Sequence, residues 1–597
     1  MPFVQRLQEM AITRRPSLLA WLLTFWCHVH VNWSNVVVVV AFSSSARSTS
    51  VHQHEHPLLQ DKLRYAMQLS SASARNITAA FEACQEWEDI FDGKHMKLST
   101  LSGGDTIVAI ARALQASCLV RVGQDERALL SYDEALKFDT YLDEKTRNDL
   151  LVGKATALQR LLRYQDALDQ FRKSTTDRGV YGGATCALRL GQMEDAIDIL
   201  KNHLESEINP SFPDSRSMLL TLRILSGKSD EERQNDCLSL LEESSSKESL
   251  LYSWICRVLC SEKASLSTSN KASLKPKFLD LIQINQSPFD DPGLLRLDDK
   301  VLLHKLMDKY GEKSNKFWPK GMILSNQHQQ ENVDMLKAYP ASKKWIRKTR
   351  SGYGSHGNTL LTTDEALQVT HSREMQAGEE TLLQSVVDPP MLIHGKKFSV
   401  RIYVVYFSPG SRIYISNEGL VKLAAKELSD EMEISKDRMY MTNSGREATM
   451  DQYDLKFLSQ IFAQRDLDYS LFWSRIESAV AAVLNCYLSD RNDEAVNRNP
   501  DSITYLQRLR IPKILGLDFL LDSSANPWLL EVNRFPGLEP RDASDQRVKY
   551  KVVSDAWRLA SELAGLEDMT QFLTEMDPIS IQSPSSLFEL PLTEIRK

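Results

Sequence analysis

The sequence has no basic excess: 72 Lys and Arg residues face 79 Asp and Glu, for a net charge of -7. That balance lacks the electrostatic drive of a phosphate-backbone binder, so nucleic acid is not an expected partner. Cysteine is scarce as well. Eight residues in 597, with no CxxC and no Cys/His pair at zinc spacing, argue against a disulfide scaffold or a zinc module. Cys256 and Cys260 share a helix face, a spacing that reads as core packing. What is abundant is apolar sequence. At 42% hydrophobic content, 597 residues can build two or three separate cores.

The N-terminus has the pattern of an address. Arg14-Arg15 precede an apolar stretch from Ser17 to Val31. A second apolar run, Val36 to Phe42, follows the polar break Asn32-Trp33-Ser34-Asn35, and an acid-free, Ser-rich stretch runs from Ser43 to Ser50. Residues 1–55 are therefore expected to be a signal peptide, a signal anchor with membrane association, or an organelle leader. The junction from Val40 to Ser43 resembles the cleavage region of leaders in algae with complex plastids, so the expected location is the secretory pathway or an organelle such as a plastid. If the leader is not functional, the cytoplasm is the expectation. The acceptor pattern Asn76-Ile77-Thr78 is compatible with a lumenal fate. The alternating His52, His54 and His56 read as a solvated segment.

From about Leu58 to Cys260 the apolar residues recur at helical spacing. Ala116, Ala128 and Ala135, with Tyr132, recur as Ala155, Ala167 and Ser174, with Phe171, and again as Ala184 and Ala196, with Leu200. Each first Ala precedes the second by twelve residues, while the repeats step by 39 and then 29. Small residues let two antiparallel helices approach, and the larger residue fills the groove to the next pair. The segments Gly123 to Asp139, Arg163 to Ser174 and Gly191 to Leu200 resemble the tetratricopeptide repeat family, whose period is about 34 residues. The resemblance implies an α-helical solenoid over 56–261 that docks a protein partner; a generic helical bundle is the alternative. Residues 262–277, rich in Ser and Lys, read as a linker.

After the linker the periodicity changes to that of strands. In Lys397-Phe398-Ser399-Val400-Arg401-Ile402 alternation puts Lys397, Ser399 and Arg401 on one face and buries the other three residues. Leu515 to Asp522 and Trp528 to Asn533 flank the turn-rich Ser523-Ser524-Ala525-Asn526-Pro527, a hairpin signal. Centred between Ser524 and Ala525, the hairpin sets Asp518 opposite Glu531, with Asn533 two residues on along the same face. Two carboxylates and an amide oxygen among such apolar strands call for a counter-charge, and a hard divalent cation such as magnesium takes oxygen ligands of this kind. A strand ending at Lys348 leads into Thr349 to Gly357, where Gly352 and Gly354 let backbone amides approach phosphate oxygens, although this is neither the Walker nor the Rossmann pattern.

In this order, Trp345 to Lys348 with the glycine loop, Leu382-Leu383-Gln384, Gly395 to Arg401, Asn417-Glu418-Gly419, Thr442-Asn443 and Gly516 to Asn533 resemble the tubulin-tyrosine ligase family of the ATP-grasp superfamily. The resemblance covers roughly Phe317 to Pro536. It implies an α+β ATP-grasp domain over 278–570, followed by a flexible tail over 571–597. It also implies roles. Lys348 and Lys397 hold ATP phosphates; Gln384 lies by the adenine; Thr442 and Asn443 line the nucleotide and amino-acid pocket, with Gly352 and Gly354 in the phosphate cover. Asp518, Glu531 and Asn533 hold magnesium, and Arg401, with Lys397 and Lys422, serves the reacting phosphate and acceptor. The implied chemistry is activation of a protein or peptide carboxylate by ATP and attack by a free amino acid to form an amide.

Three positions depart from the family pattern: Ser399 stands where Asp is usual, Lys422 where Arg is usual, and Ser385 where Lys follows the glutamine. Lys422 keeps the charge without the bidentate grip of Arg. The expectation is a ligase whose acceptor is not tubulin. A nucleotide-binding adaptor without activity and a small-molecule ligase are the alternatives.

Overall fold

A computed structural model describes residues 56–73, 77–92, 104–206, 213–226, 230–243, 249–260, 277–285, 289–350, 358–371, 379–407, 412–428, 451–495, 509–541, 543–566, 570 and 585–590. The leader, most of the linker and the glycine loop lie outside these residues. The chain divides into two compact units between Gly179 and Val180. The second unit holds the later helices together with both β-sheets.

The helical region comprises α1 (His56–Ser73), α2 (Ile77–Asp92), α3 (Gly104–Val122), α4 (Asp125–Leu136), α5 (Glu144–Arg160), α6 (Tyr164–Phe171), α7 (Asp177–Arg189), α8 (Met193–Ser206), α9 (Pro213–Ser226), α10 (Asp230–Glu243) and α11 (Ser249–Cys260). The twelve-residue step in the sequence has a backbone cause. Gly123, Leu162 and Gly191 each adopt a left-handed conformation, with φ of 81°, 62° and 78°, between two helices. The residue after each closes the same wide bond: Gln124 N–H to Leu119 O at 2.9 Å, Arg163 N–H to Leu158 O at 2.9 Å, and Gln192 N–H to Ala187 O at 2.9 Å. This terminates one helix by a Schellman turn and starts the next at once. Because the three turns are alike, Ala116 and Ala128, Ala155 and Ala167, and Ala184 and Ala196 occupy corresponding positions, and all six are fully buried.

Short helices follow: α12 (Phe278–Ile284), α13 (Leu295–Asp298) and α14 (Lys300–Tyr310). They lead into a four-stranded antiparallel sheet in the order β1 (Gly321–Leu324), β4 (Thr381–Ser385), β2 (Lys344–Thr349), β3 (Thr359–Thr362). A larger antiparallel sheet follows the order β10 (Pro527–Asn533), β9 (Pro512–Leu521), β6 (Lys396–Phe407), β7 (Arg412–Glu427), β11 (Leu587–Glu589). In it β5 (Leu392–Ile393) pairs with β6, and β8 (Gln452–Asp454) with β7. Its main core joins Phe398, Val400, Ile402, Leu517 and Phe519 to Leu458 and Phe462 of α15 (Leu455–Gln464) and to Ile476 and Val480 of α16 (Tyr469–Ala495). The later helices are tied to this unit: Trp254 of α11 donates from Nε1 to Leu509 O at 2.8 Å and meets Trp557 of α17 (Ala543–Leu563) edge-on at 5.1 Å.

Two expectations are corrected. The face of β6 that carries Lys397, Ser399 and Arg401 is buried, not only the opposite one; β6 and its neighbour β9 are buried on both faces along nearly their whole length, polar residues included. Within the tail expected to be flexible, residues 585–590 include a strand. Leu587 pairs with Ser416 of β7, and Ser586 donates from N and Oγ to Asp555 at 2.7 and 2.6 Å. A buried carboxylate that needs donors explains why this segment is held. Among the described residues no helix is long and apolar enough to cross a membrane.

If the left-handed turns set the repeat, Gly123→Ala and Gly191→Ala should each destabilise by about 1–2 kcal/mol, because a Cβ is disfavoured at such φ. Leu162→Gly should be close to neutral, since relief of that strain is offset by about 0.5–1 kcal/mol of backbone entropy. Urea denaturation measures both, and Ala variants as stable as the parent would contradict the assignment.

Candidate active site

The hairpin of β9 and β10 places Asp518 directly opposite Glu531 and Gly516 opposite Asn533. The register is reached by two steps. Near the turn Pro527 faces Leu521 and Leu529 faces Phe519, one residue out of step with the pairing at Glu531, and a bulge at Leu530 restores it. A bulged residue has no ladder partner, and the Leu530 carbonyl accepts instead from Lys348 Nζ of β2 at 2.9 Å. The same ammonium donates to Gln384 Oε1 of β4 at 2.7 Å, while Gln384 Nε2 donates to Pro319 O at 3.3 Å. The small sheet thus meets the large one at Lys348.

Across β6 the row continues. Arg401 stands opposite Asp518 and holds it with two bonds, Nε to Oδ1 and Nη2 to Oδ2, both 2.6 Å. Gly516 makes room for this grip, since a Cβ there would fall 2.9 Å from Arg401 Nη1. Lys422 of β7 lies opposite Ser399, and its Nζ is 3.6 Å from Asp518 Oδ1. The two departures from the family pattern at 399 and 422 are therefore cross-strand neighbours. Lys397 is four residues along β6 from Arg401, about 13 Å in an extended strand, with Asp388 and Lys344 as its charged neighbours.

Burial and neighbouring charge set the protonation of these groups. Burial holds the Lys348, Lys397 and Lys422 ammonium groups down at about 8, because the charged form loses its hydration. Arg401 lowers Lys422 further, whereas Asp518 and Glu531 oppose the fall. Burial also pushes the Asp518 carboxyl up, but Arg401 and then Lys422 outweigh it and hold it down at about 2.

Asp518, Glu531 and Asn533 form an oxygen donor set, and the sequence expectation was that a divalent cation supplies their counter-charge. In the structure protein cations supply it: Arg401 binds Asp518, and Lys300 Nζ lies 3.6 Å from Glu531 Oε2. Asn533 turns Nδ2 toward Asp518 Oδ2 at 3.3 Å and Glu531 Oε1 at 3.4 Å. Half a revolution of the amide offers its oxygen to the same place, so two carboxylates and an amide fit a small hard cation. Among the described residues no group of three or more His, Cys, Asp or Glu converges as a metal site. Gly352, Gly354, Thr442 and Asn443 lie outside the described residues.

Sequence reasoning missed Lys300 and Arg350. The backbone N–H of Lys300 donates to Arg350 O, and the Arg350 guanidinium meets Asp299 at 2.9 Å and Glu380 at 3.3 Å. The available signal was Leu297-Asp298-Asp299-Lys300-Val301, a cluster of charges between apolar residues ahead of a helix.

Residues 283–567 match the model of the tubulin-tyrosine ligase family. This chain carries a tubulin-tyrosine ligase family domain. Similar proteins include tubulin monoglutamylase TTLL4 of Mus musculus, 26% identical over 293 residues, which are 45% of this chain and 22% of that protein. Tubulin polyglutamylase TTLL7 of Xenopus tropicalis is 26% identical over 253 residues, 38% of this chain and 26% of that protein. The probable tubulin polyglutamylase ttll-9 of Caenorhabditis elegans is 26% identical over 304 residues, 47% of this chain and 69% of that protein. The match thus spans about a quarter of the length of the first two relatives. Use of ATP with magnesium is a general property of the family.

The lysines of this family domain predict a pH dependence. If Lys348 and Lys397 hold phosphate oxygens, which raise the pKa of an adjacent ammonium, then above pH 8 a nucleotide complex holds more protons than the free chain, in which burial holds both groups down at about 8. Affinity for ATP should fall as pH rises from about 8 to 10. Calorimetry at about pH 8.5 in buffers of different ionisation enthalpy should read net proton uptake, largely lost near pH 6.5, where the lysines are already charged. Uptake equal at both pH values would rule these lysines out as the phosphate ligands.

Proposed function

We propose that this chain is an ATP- and magnesium-dependent ligase that joins a free amino acid to a protein or peptide carboxylate through an acyl phosphate. The observation that carries this reading is the row Glu531–Asp518–Arg401 flanked by Lys348, Lys422 and Lys300, inside a domain that matches a ligase family. In the proposed reaction an acceptor carboxylate oxygen attacks the γ-phosphorus of ATP, ADP leaves, and an acyl phosphate forms. The amino group then attacks the acyl carbon, phosphate departs, and the amide remains.

Lys348 and Lys397 hold the phosphates and Gln384 borders the base. Arg401 exchanges Asp518 for the charge that develops on the transferring phosphate. Magnesium, held by Asp518, Glu531 and Asn533, would neutralise phosphate charge when bound. Oriented reactants and charge compensation suffice, without a covalent protein nucleophile. The relatives are named glutamylases, which makes glutamate the first amino acid to test. The recurrent helix pairs with left-handed turns support a tetratricopeptide-like docking surface for a macromolecular acceptor. The leader read at 1–55 supports delivery to the secretory pathway or an organelle, and so an acceptor other than tubulin; efficient modification of tubulin tails by the purified chain would overturn that part.

The primary test is thermal shift with ATP and magnesium. Ligand at about 100 times its Kd stabilises by about 2.7 kcal/mol, and the shift should require both ligands and vanish in Glu531→Ala. No shift in the folded parent chain would contradict the reading.

A nucleotide-binding adaptor is favoured by one observation: Asp518 is closed off by Arg401, and Ser399 brings no acid beside Lys422. Ser399→Asp separates the two. A carboxylate placed opposite Lys422 should raise that ammonium's pKa. Turnover that appears only in the variant marks a decayed site, whereas loss of existing turnover marks a specialised one.

A further inference from the structure

Arg534 follows Asn533, the last residue of β10. Its backbone N–H donates to Asp298 Oδ1 at 3.1 Å. Its guanidinium binds Asp290 through Nε to Oδ2 at 2.8 Å and through Nη2 to Oδ1 and Oδ2 at 2.7 and 2.6 Å. Asp290 is gripped from a second direction by Arg189, the last residue of α7. Arg189 donates from Nη1 to the Asp290 backbone carbonyl at 3.0 Å and from Nη2 to Oδ1 at 2.8 Å. Lys513 of β9 adds a third cation 3.5 Å from Oδ2. All four side chains are at least nine-tenths buried.

This arrangement has a direction. Arg189 is the one member of the cluster from the helical region, and it fixes both the backbone and the side chain of Asp290. With its carbonyl and one carboxylate oxygen held, Asp290 keeps both oxygens aimed at Arg534. The segment that begins at Asp290 touches the end of β10 twice more, at Asp298 with the Arg534 N–H and at Lys300 with Glu531. Three contacts from one segment therefore locate residues 531–534, and Arg189 anchors the start of that segment. Sites that bind a cation depend on partners behind the ligands for their orientation.

We propose that Arg189 is a positioning residue of the ligase site: through Asp290 and Arg534, helix α7 sets the placement of Asn533 and Glu531. The proposal rests on the ligase reading above. It gives the helical region a part in assembling the site, distinct from docking an acceptor.

The test uses the full chain and equilibrium binding of ATP, followed by a fluorescent trinitrophenyl-ATP reporter, as magnesium is titrated. Arg189→Ala should raise the magnesium concentration for half-saturation about tenfold or more, as loss of a partner behind a metal ligand does. Arg189→Lys, which keeps the charge and one of the two contacts, should fall between parent and Ala variant. Lys201→Ala, on the exposed side of α8, should match the parent. A purely structural role lowers the melting temperature of Arg189→Ala but leaves its half-saturation within about twofold of the parent, and that result overturns the proposal. Should Arg189→Ala fail to fold, parent-like magnesium dependence in Arg189→Lys overturns it equally. A parent chain without magnesium-linked ATP binding removes the ligase reading and this inference together, an outcome distinct from a responsive parent and an indifferent variant.

Discussion

Leu530 has no partner across the β9–β10 ladder, and its carbonyl accepts from Lys348 Nζ. Much else follows from that one contact. Side chains alternate along a strand, so a shift of one residue carries a whole set to the opposite face. Without the bulge, the pairing that begins at Pro527–Leu521 would set Glu531 against Leu517 and put it on the wrong side of the sheet from Asp518. With it, Glu531, Asp518 and Arg401 form one row across three strands. The bulge also turns a carbonyl toward the small sheet, and Lys348 uses it to join the sheets where a nucleotide is proposed to lie. Register and inter-sheet contact are thus the same structural event.

Some of this was legible in the sequence. The hairpin placed Asp518 against Glu531 by counting outward from Ser524 and Ala525, and the structure has that pair. The count reached it through two compensating offsets: the turn is displaced by one residue and the bulge returns it. Periodicity reports which face a residue lies on, not where a ladder skips. Alternation in β6 likewise grouped Lys397, Ser399 and Arg401 on one face but assigned burial only to the other, because a single strand carries no sign of what packs over it. The repeat in the helical region was readable for a firmer reason. Each Ala pair spans one stereotyped turn, and a turn that fixes its own length leaves a fixed spacing in the sequence.

What was not legible is the contribution of distant segments. Arg189 and Asp290 are about a hundred positions apart, and Arg534 lies a further 244 from Asp290. Nothing in local pattern joins them. Trp254 and Trp557 make the same point. Their consequence is practical. The linker read at 262–277 makes removal of everything before Lys277 the obvious way to separate docking from chemistry. The structure makes it unsuitable, because the truncation also takes away Arg189 from a buried carboxylate and Trp254 from a core. Loss of one partner of a buried ion pair costs about 3–5 kcal/mol, enough to confuse a lost docking surface with a damaged fold.

The charges at the site argue for an anion as its natural occupant. Asp518 is already matched by Arg401, and Glu531 lies beside Lys300; Lys348 and Lys422 remain as further buried cations within the same group. A buried ammonium costs free energy to keep charged, which is why burial holds both of these lysines down at about 8. Both lie well below the ordinary lysine range for that reason. A polyphosphate recovers that cost by favouring the charged form. A carboxylate pair alone would draw a cation into this pocket, but the lysines around it would repel one unless phosphate oxygens arrived as well. The arrangement therefore suits a cation and a phosphate that enter together, and the two halves of the site, from different sheets, are each incomplete without the other.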